Sequence, residues 1–222
     1  MGQLFLVRHG QASLGKDDYD QLSELGAQQS RRLGQHWHEL SLQFDAVVCG
    51  TLLRHRQTLA GISEGMRSVL IGPFNPGLNE YDAEAVIRSI HPEPRPRPST
   101  PETYRQHFRL LRDGLLRWTQ GQSTPEGMLP WSDFLDGAIS ALEQVRQTQA
   151  HNALVVSSGG PISFLIGHLL GMSPQASIEL NLQMRNTAIC ELRMSAKGFR
   201  VVSFNTLPHL AGAEHSAWIS YA

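Results

Sequence analysis

Residues 4–12 read LFLVRHGQA, an apolar run that ends abruptly in the three residues Arg-His-Gly. The apolar run predicts a buried β-strand, and its polar end then falls at the carboxyl edge of a sheet, where open α/β folds bind their ligands. Arginine offers a planar fork of donors to phosphate, histidine can exchange a proton near neutral pH, and glycine lets a ligand approach the backbone. A strand that ends in an ordinary turn is the alternative interpretation of this stretch.

The composition is typical of one globular domain over residues 1–222. Of the 222 residues, 41% are hydrophobic and 18% are charged, which is enough to bury one substantial core. The formal net charge of -1 gives no reason to expect nucleic acid or a membrane as a partner. Cys49 and Cys190 lie far apart and are typical of reduced thiols in the cytoplasm. We expect neither a signal peptide nor a membrane-spanning segment.

Apolar strands alternate with amphipathic helices along most of the chain, which predicts an α/β fold with a parallel sheet. The predicted strands cover residues 4–7, 44–49, 69–71 and 153–157, and a hairpin at the sheet edge joins residues 187–194 to residues 199–204. The predicted helices cover residues 23–40, 52–62, 103–120, 131–149 and 161–171. Polar residues 17–20 and the proline-rich residues 91–101 predict loops.

Polar groups follow three of the predicted strands, at residues 8–10, 50–54 and 158–160. A parallel sheet brings all three to one edge, where the amino ends of helices present backbone donors to an anion. Arg8 and Arg54 could then donate hydrogen bonds to phosphate oxygens. Taken singly, Arg54 could also be a surface helix residue, and Gly159 and Gly160 could simply allow a tight turn.

Five segments stand in order along the chain: LVRHGQ at residues 6–11, LSELGAQQ at 22–29, LRHRQT at 53–58, LNEYD at 78–82 and VVSSGGP at 155–161. Together they resemble the histidine phosphatase superfamily, also called the phosphoglycerate mutase-like proteins. The resemblance implies a three-layer α/β/α sandwich whose sheet is mostly parallel and has an antiparallel edge strand. It also implies a helical and loop insertion at about residues 80–150 that covers the site.

The resemblance implies a role for each matching residue. His9 is the expected nucleophile, which forms a phosphohistidine, and Glu80 is the expected proton donor, with Asp82 and Glu84 as competitors for that role. Phosphate binding is expected of Arg8, Gln11, Arg54, Ser158 and Gly159. A neutral imidazole can attack phosphorus while guanidinium groups offset the charge on the equatorial oxygens, so the reaction needs no metal and no cofactor.

Ser158 departs from the family pattern, because it stands where the family has its second histidine. Loss of one such donor typically costs about 10²- to 10³-fold in rate. We therefore expect either a slowed phosphomonoester hydrolase or a phospho-ligand-binding module without turnover, and a phosphomutase is less favoured. His168, His209 and His215 are conceivable substitutes for the second histidine. Replacing Ser158 with histidine is expected to raise the rate.

Other reaction classes fit the sequence less well. A cysteine phosphatase needs five residues between its thiolate and its arginine, whereas Cys49 and Arg54 have four between them. A serine hydrolase elbow at Ser157 or Ser158 lacks the glycine two positions earlier. Histidines at positions 36 and 38 lack the spacing to share one face of a helix around a metal ion. The expected partners are a small-molecule or protein phosphomonoester and inorganic phosphate, with a homodimer as a further expectation.

The proline-rich loop has two open interpretations. With Arg88, Arg95 and Arg97 it could cover the pocket and contact an anionic substrate, or it could be an exposed, solvated segment.

Overall fold

A computed structural model describes residues 2–13 and 20–221 of the chain, so most of the predicted loop over residues 17–20 lies outside the described residues. Its five-stranded sheet has the order β2-β3-β1-β4-β5. The strands are β1 (Gly2–Arg8), β2 (Ala46–Cys49), β3 (Asn152–Ser157), β4 (Ile189–Ser195) and β5 (Gly198–Thr206). In this described sheet, β1, β2 and β3 pair in parallel. The strand β4 pairs antiparallel with both β1 and β5, so β5 runs in the same direction as β1, β2 and β3. The edge strand β5 thus pairs antiparallel with its neighbour, as predicted.

Helices cover both faces of the sheet, which confirms the predicted three-layer α/β/α sandwich. Their bounds are α1 (Glu24–Glu39), α2 (Leu53–Met66), α3 (Ala83–Arg88), α4 (Pro101–Thr119), α5 (Trp131–Gln147), α6 (Gly159–Leu170) and α7 (Pro174–Leu182). Because successive side chains of a strand point to opposite faces, β1 contributes to two cores. Phe5 and Val7 pack with α1 and α2, whereas Leu4 and Leu6 pack with α5 and α6.

A third apolar cluster lies beside the two central cores. It joins α3, α4, α6 and α7 around Trp118 and Phe164, which are both almost fully buried. Trp118 contacts the rings of Trp131 and Phe134 with centroids 5.1 and 5.0 Å apart, and Trp131 contacts Phe164, so this cluster packs α4 and α5 against α6. Sequence patterns did not predict α3 or α7, which are six and nine residues long and too short for a clear helical period.

The predicted strand over residues 69–71 is wrong. These residues form no strand, and Val69 and Ile71 are 80% and 81% exposed. The chain instead meets β2 further on, where Pro73 accepts a hydrogen bond from the Cys49 amide and Phe74 forms an isolated bridge to Cys49. Proline has no amide proton to give to a ladder, so a regular strand cannot form at this position.

Residues 91–100 contain neither helix nor strand and are mostly exposed, which confirms the predicted loop over residues 91–101 except at Pro101, where α4 begins. Arg95 in this loop forms an ion pair of 3.2 Å with Glu84 of α3. Within the described residues, no helix combines the length and the apolar character needed to cross a lipid bilayer.

His209 makes the free energy of unfolding depend on pH. Burial, together with the nearby His36 and Arg32, lowers its pKa from 6.5 to about 3. Below pH 6.5 the unfolded chain binds a proton that the folded chain excludes, so stability falls with decreasing pH by roughly 1.4 kcal/mol per pH unit. We expect urea unfolding of His209→Gln to show a shallower pH slope between pH 6.5 and 4 than the parent. The exposed His168→Gln variant is the control, and equal slopes in all three proteins would contradict the assignment.

Candidate active site

The carboxyl ends of β1, β2 and β3 meet at one edge of the sheet, as predicted. Arg8 is in register with Ser157, and Cys49 is in register with Val156. The ladder continues one residue further, because the His9 amide donates to the Ser157 carbonyl at 2.9 Å and the Gly50 amide donates to the Val156 carbonyl at 2.9 Å. Residues 8–10, 50–54 and 158–160 therefore form one cluster.

The side chain of His9 is held in a defined orientation. Its Nδ1 lies 2.7 Å from the Gly10 carbonyl oxygen, and its Nε2 lies 3.2 Å from Nε of Arg54. A carbonyl oxygen can only accept a hydrogen bond, so the proton belongs on Nδ1. Nε2 then keeps its lone pair and accepts from Arg54. This tautomer is the one in which Nε2 can act as a nucleophile.

Burial and positive charge keep His9 neutral. The residue is only 3% exposed, and burial is the main cause that lowers its pKa well below 6.5. The charges of Arg8 and Arg54 lower the pKa further, because they repel a proton on the imidazole. His9 is therefore unprotonated at Nε2 near neutral pH.

Both arginines of the cluster are fixed by other parts of the chain. Arg54 is buried, and its Nη1 donates to Oδ1 of Asp20 at 2.7 Å, while Oδ2 of Asp20 accepts from the Leu53 amide. Arg8 donates from Nη1 to the carbonyl of Tyr221 at 2.8 Å and to the carbonyl of Met184. Neither Asp20 nor the carboxyl-terminal residues lie in a recognisable motif, so the sequence alone predicted no role for them.

Glu80 approaches the cluster from the side of α6. Its Oε2 accepts from the Gly160 amide at 3.2 Å, and burial raises the pKa of this carboxyl above 4.5, although the charges of Arg54 and Arg8 oppose the shift. Asp82 and Glu84, the two other carboxylates considered for the proton donor, have different contacts. Asp82 accepts from the Ala85 amide at the start of α3, and Glu84 pairs with Arg95.

Gln11 follows β1 in the chain, and its side chain contacts Ser23, the residue that caps the amino end of α1. Its Oε1 accepts from the Ser23 hydroxyl at 2.8 Å, and that hydroxyl accepts from the Gly26 amide. The backbone amide of Gln11 donates to Oε1 of Gln29. The Nε2 atom of the same Gln29 side chain donates to the Trp218 carbonyl and to the Ser220 hydroxyl. Gln11 therefore links the strand end to α1 and to the carboxyl-terminal residues.

Ser158 is fully buried and contacts a histidine that sequence analysis did not single out. Its Oγ lies 2.6 Å from Nε2 of His55, which is also fully buried. Burial, with the charge of Arg54 next, lowers the pKa of His55 to about 3. The only signal for His55 in the sequence was its position directly after Arg54 in the LRHRQT segment.

The histidines named as possible substitutes do not reach Ser158. His168 lies exposed in the last turn of α6, at the opposite end from Ser158. His209 bonds to Thr187, and His215 packs against Trp218. None of these three has a contact with Ser158 among the hydrogen bonds and ring contacts of residues 2–13 and 20–221.

Other reactive groups give no second site in the described part of the chain. Burial raises the pKa of Cys49 and of Cys190 to about 12, so neither thiol is a thiolate near neutral pH. Cys49 is a buried residue at the end of a strand, as predicted. No group of three or more histidine, cysteine, aspartate or glutamate residues in the described ranges could hold a metal ion.

The sequence model of the histidine phosphatase superfamily (branch 1) matches residues 4–207. The chain belongs to this superfamily. The match includes residues 4–8 of β1, both arginines, Glu80 and the SSGG turn, so the residues of the cluster all lie within the family region.

Solved structures of phosphatases and mutases are similar to the chain. A phosphoserine phosphatase mutant from Entamoeba histolytica in complex with phosphoserine shares 21% identity over 95% of this chain and 100% of that one, with a TM-score of 0.66. The α-ribazole phosphatase from Shigella flexneri shares 18% identity over 92% and 96%, with a TM-score of 0.63. A phosphoglycerate mutase from Bacillus anthracis shares 17% identity over 94% of each chain, with a TM-score of 0.65. These similarities show a shared phosphoglycerate mutase-like fold.

Gly160 is needed for Glu80 to reach α6. A Cβ at Gly160 would overlap the Glu80 carboxylate and the Tyr81 ring, whereas a Cβ at Gly159 would meet its nearest neighbour, Oδ1 of Asn181, at 3.1 Å. Alanine has a higher helix propensity than glycine, so a loss of stability in Gly160→Ala must come from this overlap. We expect Gly160→Ala to lower the free energy of unfolding by about 1–3 kcal/mol in urea titrations. Gly159→Ala is the matched control, and equal stability of the two variants would contradict the overlap.

Proposed function

We propose that this protein is a phosphomonoester hydrolase that acts through a phosphohistidine intermediate on Nε2 of His9. One observation carries the proposal: Nδ1 of His9 donates to the Gly10 carbonyl at 2.7 Å while Nε2 faces Nε of Arg54 at 3.2 Å. The imidazole is thereby neutral, oriented and next to a cation that can bind the group under attack.

The first step transfers the phosphoryl group to the enzyme. A bond forms between Nε2 of His9 and phosphorus as the ester P–O bond breaks, and the leaving oxygen takes a proton from Glu80. Arg8 and Arg54 offset the negative charge on the equatorial oxygens. Gly159 adds a backbone donor at the amino end of α6, whose dipole favours an anion.

The second step releases inorganic phosphate. Water attacks phosphorus and the P–N bond breaks, which returns the electron pair to Nε2 of His9. The Glu80 carboxylate accepts the proton of the attacking water and is ready for the next cycle. The raised pKa of Glu80 supports both roles, because the carboxyl can then hold a proton closer to neutral pH.

A cleft next to Glu80 is the proposed site for the leaving group. It has a volume of about 240 Å³, and its lining includes Tyr81, Met128, Leu129 and Phe134. All of these residues belong to the segment over residues 80–150, which we propose is an insertion of a single domain that covers one side of the site. The lining also includes the polar Asn79 and Asp82, and its apolar and aromatic residues favour an aryl phosphate as the assay substrate.

Ser158 supports a second candidate, a phospho-ligand-binding module without turnover. A serine hydroxyl donates a hydrogen bond but carries no charge, so Ser158 stabilises the transferring group less than an imidazolium would. We propose a slowed enzyme in preference to a binding module, because the nucleophile, both arginines and the proton donor are all present together. Nothing in the cluster favours a phosphomutase over a hydrolase.

Replacing His9 tests the proposal. We expect His9→Ala to reduce hydrolysis of p-nitrophenyl phosphate by about 10³-fold or more, because Nε2 of the neighbouring His55 is occupied by its contact with Ser158 and does not replace the nucleophile. Acid-labile phosphate should appear on the parent after rapid quenching and be absent from His9→Ala. His168→Ala is the matched control and should keep full activity. A parent protein that binds phosphate without labelling or turnover would overturn the hydrolase and support the binding module.

The pH profile tests the roles of His9 and Glu80. His9 attacks only when neutral, so the rate falls as pH decreases through its pKa, which lies below 6.5. Glu80 donates only when protonated, so the rate falls as pH rises through its pKa, which lies above 4.5. With phenyl phosphate, whose leaving oxygen needs a proton, we expect Glu80→Gln to lose this alkaline limb of kcat/KM and to keep the acid limb.

p-Nitrophenyl phosphate is the matched control substrate, because its leaving oxygen departs without a proton. Glu80→Gln should therefore reduce the rate less with this substrate than with phenyl phosphate. Titration of the substrate itself affects parent and variant equally, so it cancels in the ratio of their kcat/KM values at each pH. An alkaline limb that persists unchanged in Glu80→Gln would contradict the proton-donor role.

A further inference from the structure

We propose that His55, acting through Ser158, supplies the imidazole that the family pattern places at position 158. In this arrangement, Nε2 of His55 donates to Oγ of Ser158, and the Ser158 hydroxyl donates to an oxygen of the phosphoryl group. The inference rests on the proposed function, since it assigns a residue pair to the same phosphoryl transfer. His55 is a positioning residue, and Ser158 is the group that touches the substrate.

The two residues come from different elements and meet at the cluster. His55 lies in the first turn of α2 directly after Arg54, and Ser158 lies at the cap of α6 directly after β3. Nε2 of His55 is 2.6 Å from Oγ of Ser158, and the ring centroids of His55 and His9 are 5.7 Å apart. A second imidazole is therefore present beside the nucleophile, although it comes from a different part of the chain.

The direction of the hydrogen bonds follows from donor counts. A serine hydroxyl has one proton, so it can donate to the phosphoryl group only if its own oxygen accepts from His55. His55 must then carry its proton on Nε2. Its Nδ1 has no hydrogen-bond partner among the described residues and faces Gly50, which agrees with an unprotonated Nδ1.

Small residues make room for the His55 ring. A Cβ on Gly50 would overlap its Nδ1 and Cε1 atoms, and the short side chain of Ser158 leaves space on the other side. A histidine at position 158 would need the space that the His55 ring already fills. The structure therefore changes the expectation for Ser158→His alone, which we now expect to be no faster than the parent.

Burial alone does not explain why a polar ring occupies this position. His55 and Ser158 are both fully buried, and a buried polar group needs a partner to offset its lost hydration. Besides burial, the charge of Arg54 lowers the pKa of His55 and so disfavours a charged His55. His55 therefore acts as a neutral donor in a hydrogen-bond chain, in which each bond polarises the next.

A double-mutant cycle tests whether the pair acts as a unit. We expect His55→Ala and Ser158→Ala each to lower the single-turnover rate of His9 phosphorylation by about 10- to 10²-fold. The double variant should be no slower than Ser158→Ala, because His55 acts only through that hydroxyl. Additive losses, or a His55→Ala variant within about twofold of the parent, would overturn the proposal.

Two further variants separate catalysis from folding. His55→Gln keeps an N–H donor near the position of Nε2 and should recover part of the rate that His55→Ala loses, and it replaces His55→Ala if that variant does not fold. His55→Ala combined with Ser158→His moves the imidazole to the family position and should exceed the rate of either single variant. A merely structural role for His55 predicts neither recovery.

Binding of inorganic phosphate distinguishes failure of this inference from failure of the proposed function. If the parent shows no phosphohistidine and no turnover, the proposed function fails. Titration calorimetry with inorganic phosphate then tests the role of the pair, because His55→Ala and Ser158→Ala should weaken phosphate binding to the same extent. If the parent turns over normally and both variants match it in rate and in phosphate affinity, the inference alone fails.

Discussion

The hydrogen bond from Nδ1 of His9 to the Gly10 carbonyl is the interaction on which the site depends. It places the proton on Nδ1 and leaves the lone pair of Nε2 directed at Arg54. The backbone at this point is fixed from two sides. A Cβ on Gly10 would overlap the Gly26 carbonyl of α1, and Asn186 donates to the His9 carbonyl at 3.2 Å. The proposed nucleophile is thus oriented by backbone packing and does not depend on a side-chain partner for its tautomer.

Burial at the sheet edge shifts the pKa values of two groups in opposite directions. It lowers the pKa of His9, which the nearby arginines lower further, and it raises the pKa of Glu80 against the attraction of the same arginines. One environment thereby favours a neutral imidazole and a protonated carboxyl, which are the two forms that the proposed first step requires. Asp20 holds Arg54 through an ion pair of 2.7 Å, so the cation is in place before an anion arrives.

Sequence patterns predicted most of the sheet and most of the cluster, and their errors have physical reasons. The strand ends after β1, β2 and β3 were predicted because apolar runs mark buried strands and parallel strands share an edge. Residues 69–71 are also apolar, yet Val69 and Ile71 lie exposed and the chain pairs with β2 only from Pro73, which has no amide proton to donate. Asp20 was missed because its role depends on a contact with Arg54 that lies 34 positions away along the chain.

The sequence by itself determined the strand β1, its polar end and the identity of the residues that meet there, since periodicity and strand direction depend only on local residue order. Only the tertiary structure decided the tautomer of His9, the different contacts of Glu80, Asp82 and Glu84, and the partner of Ser158. Ser158 and His55 are 103 positions apart, and their contact exists because α2 and α6 both begin at the same edge of the sheet. Such a contact depends on how the helices pack, which no local pattern encodes.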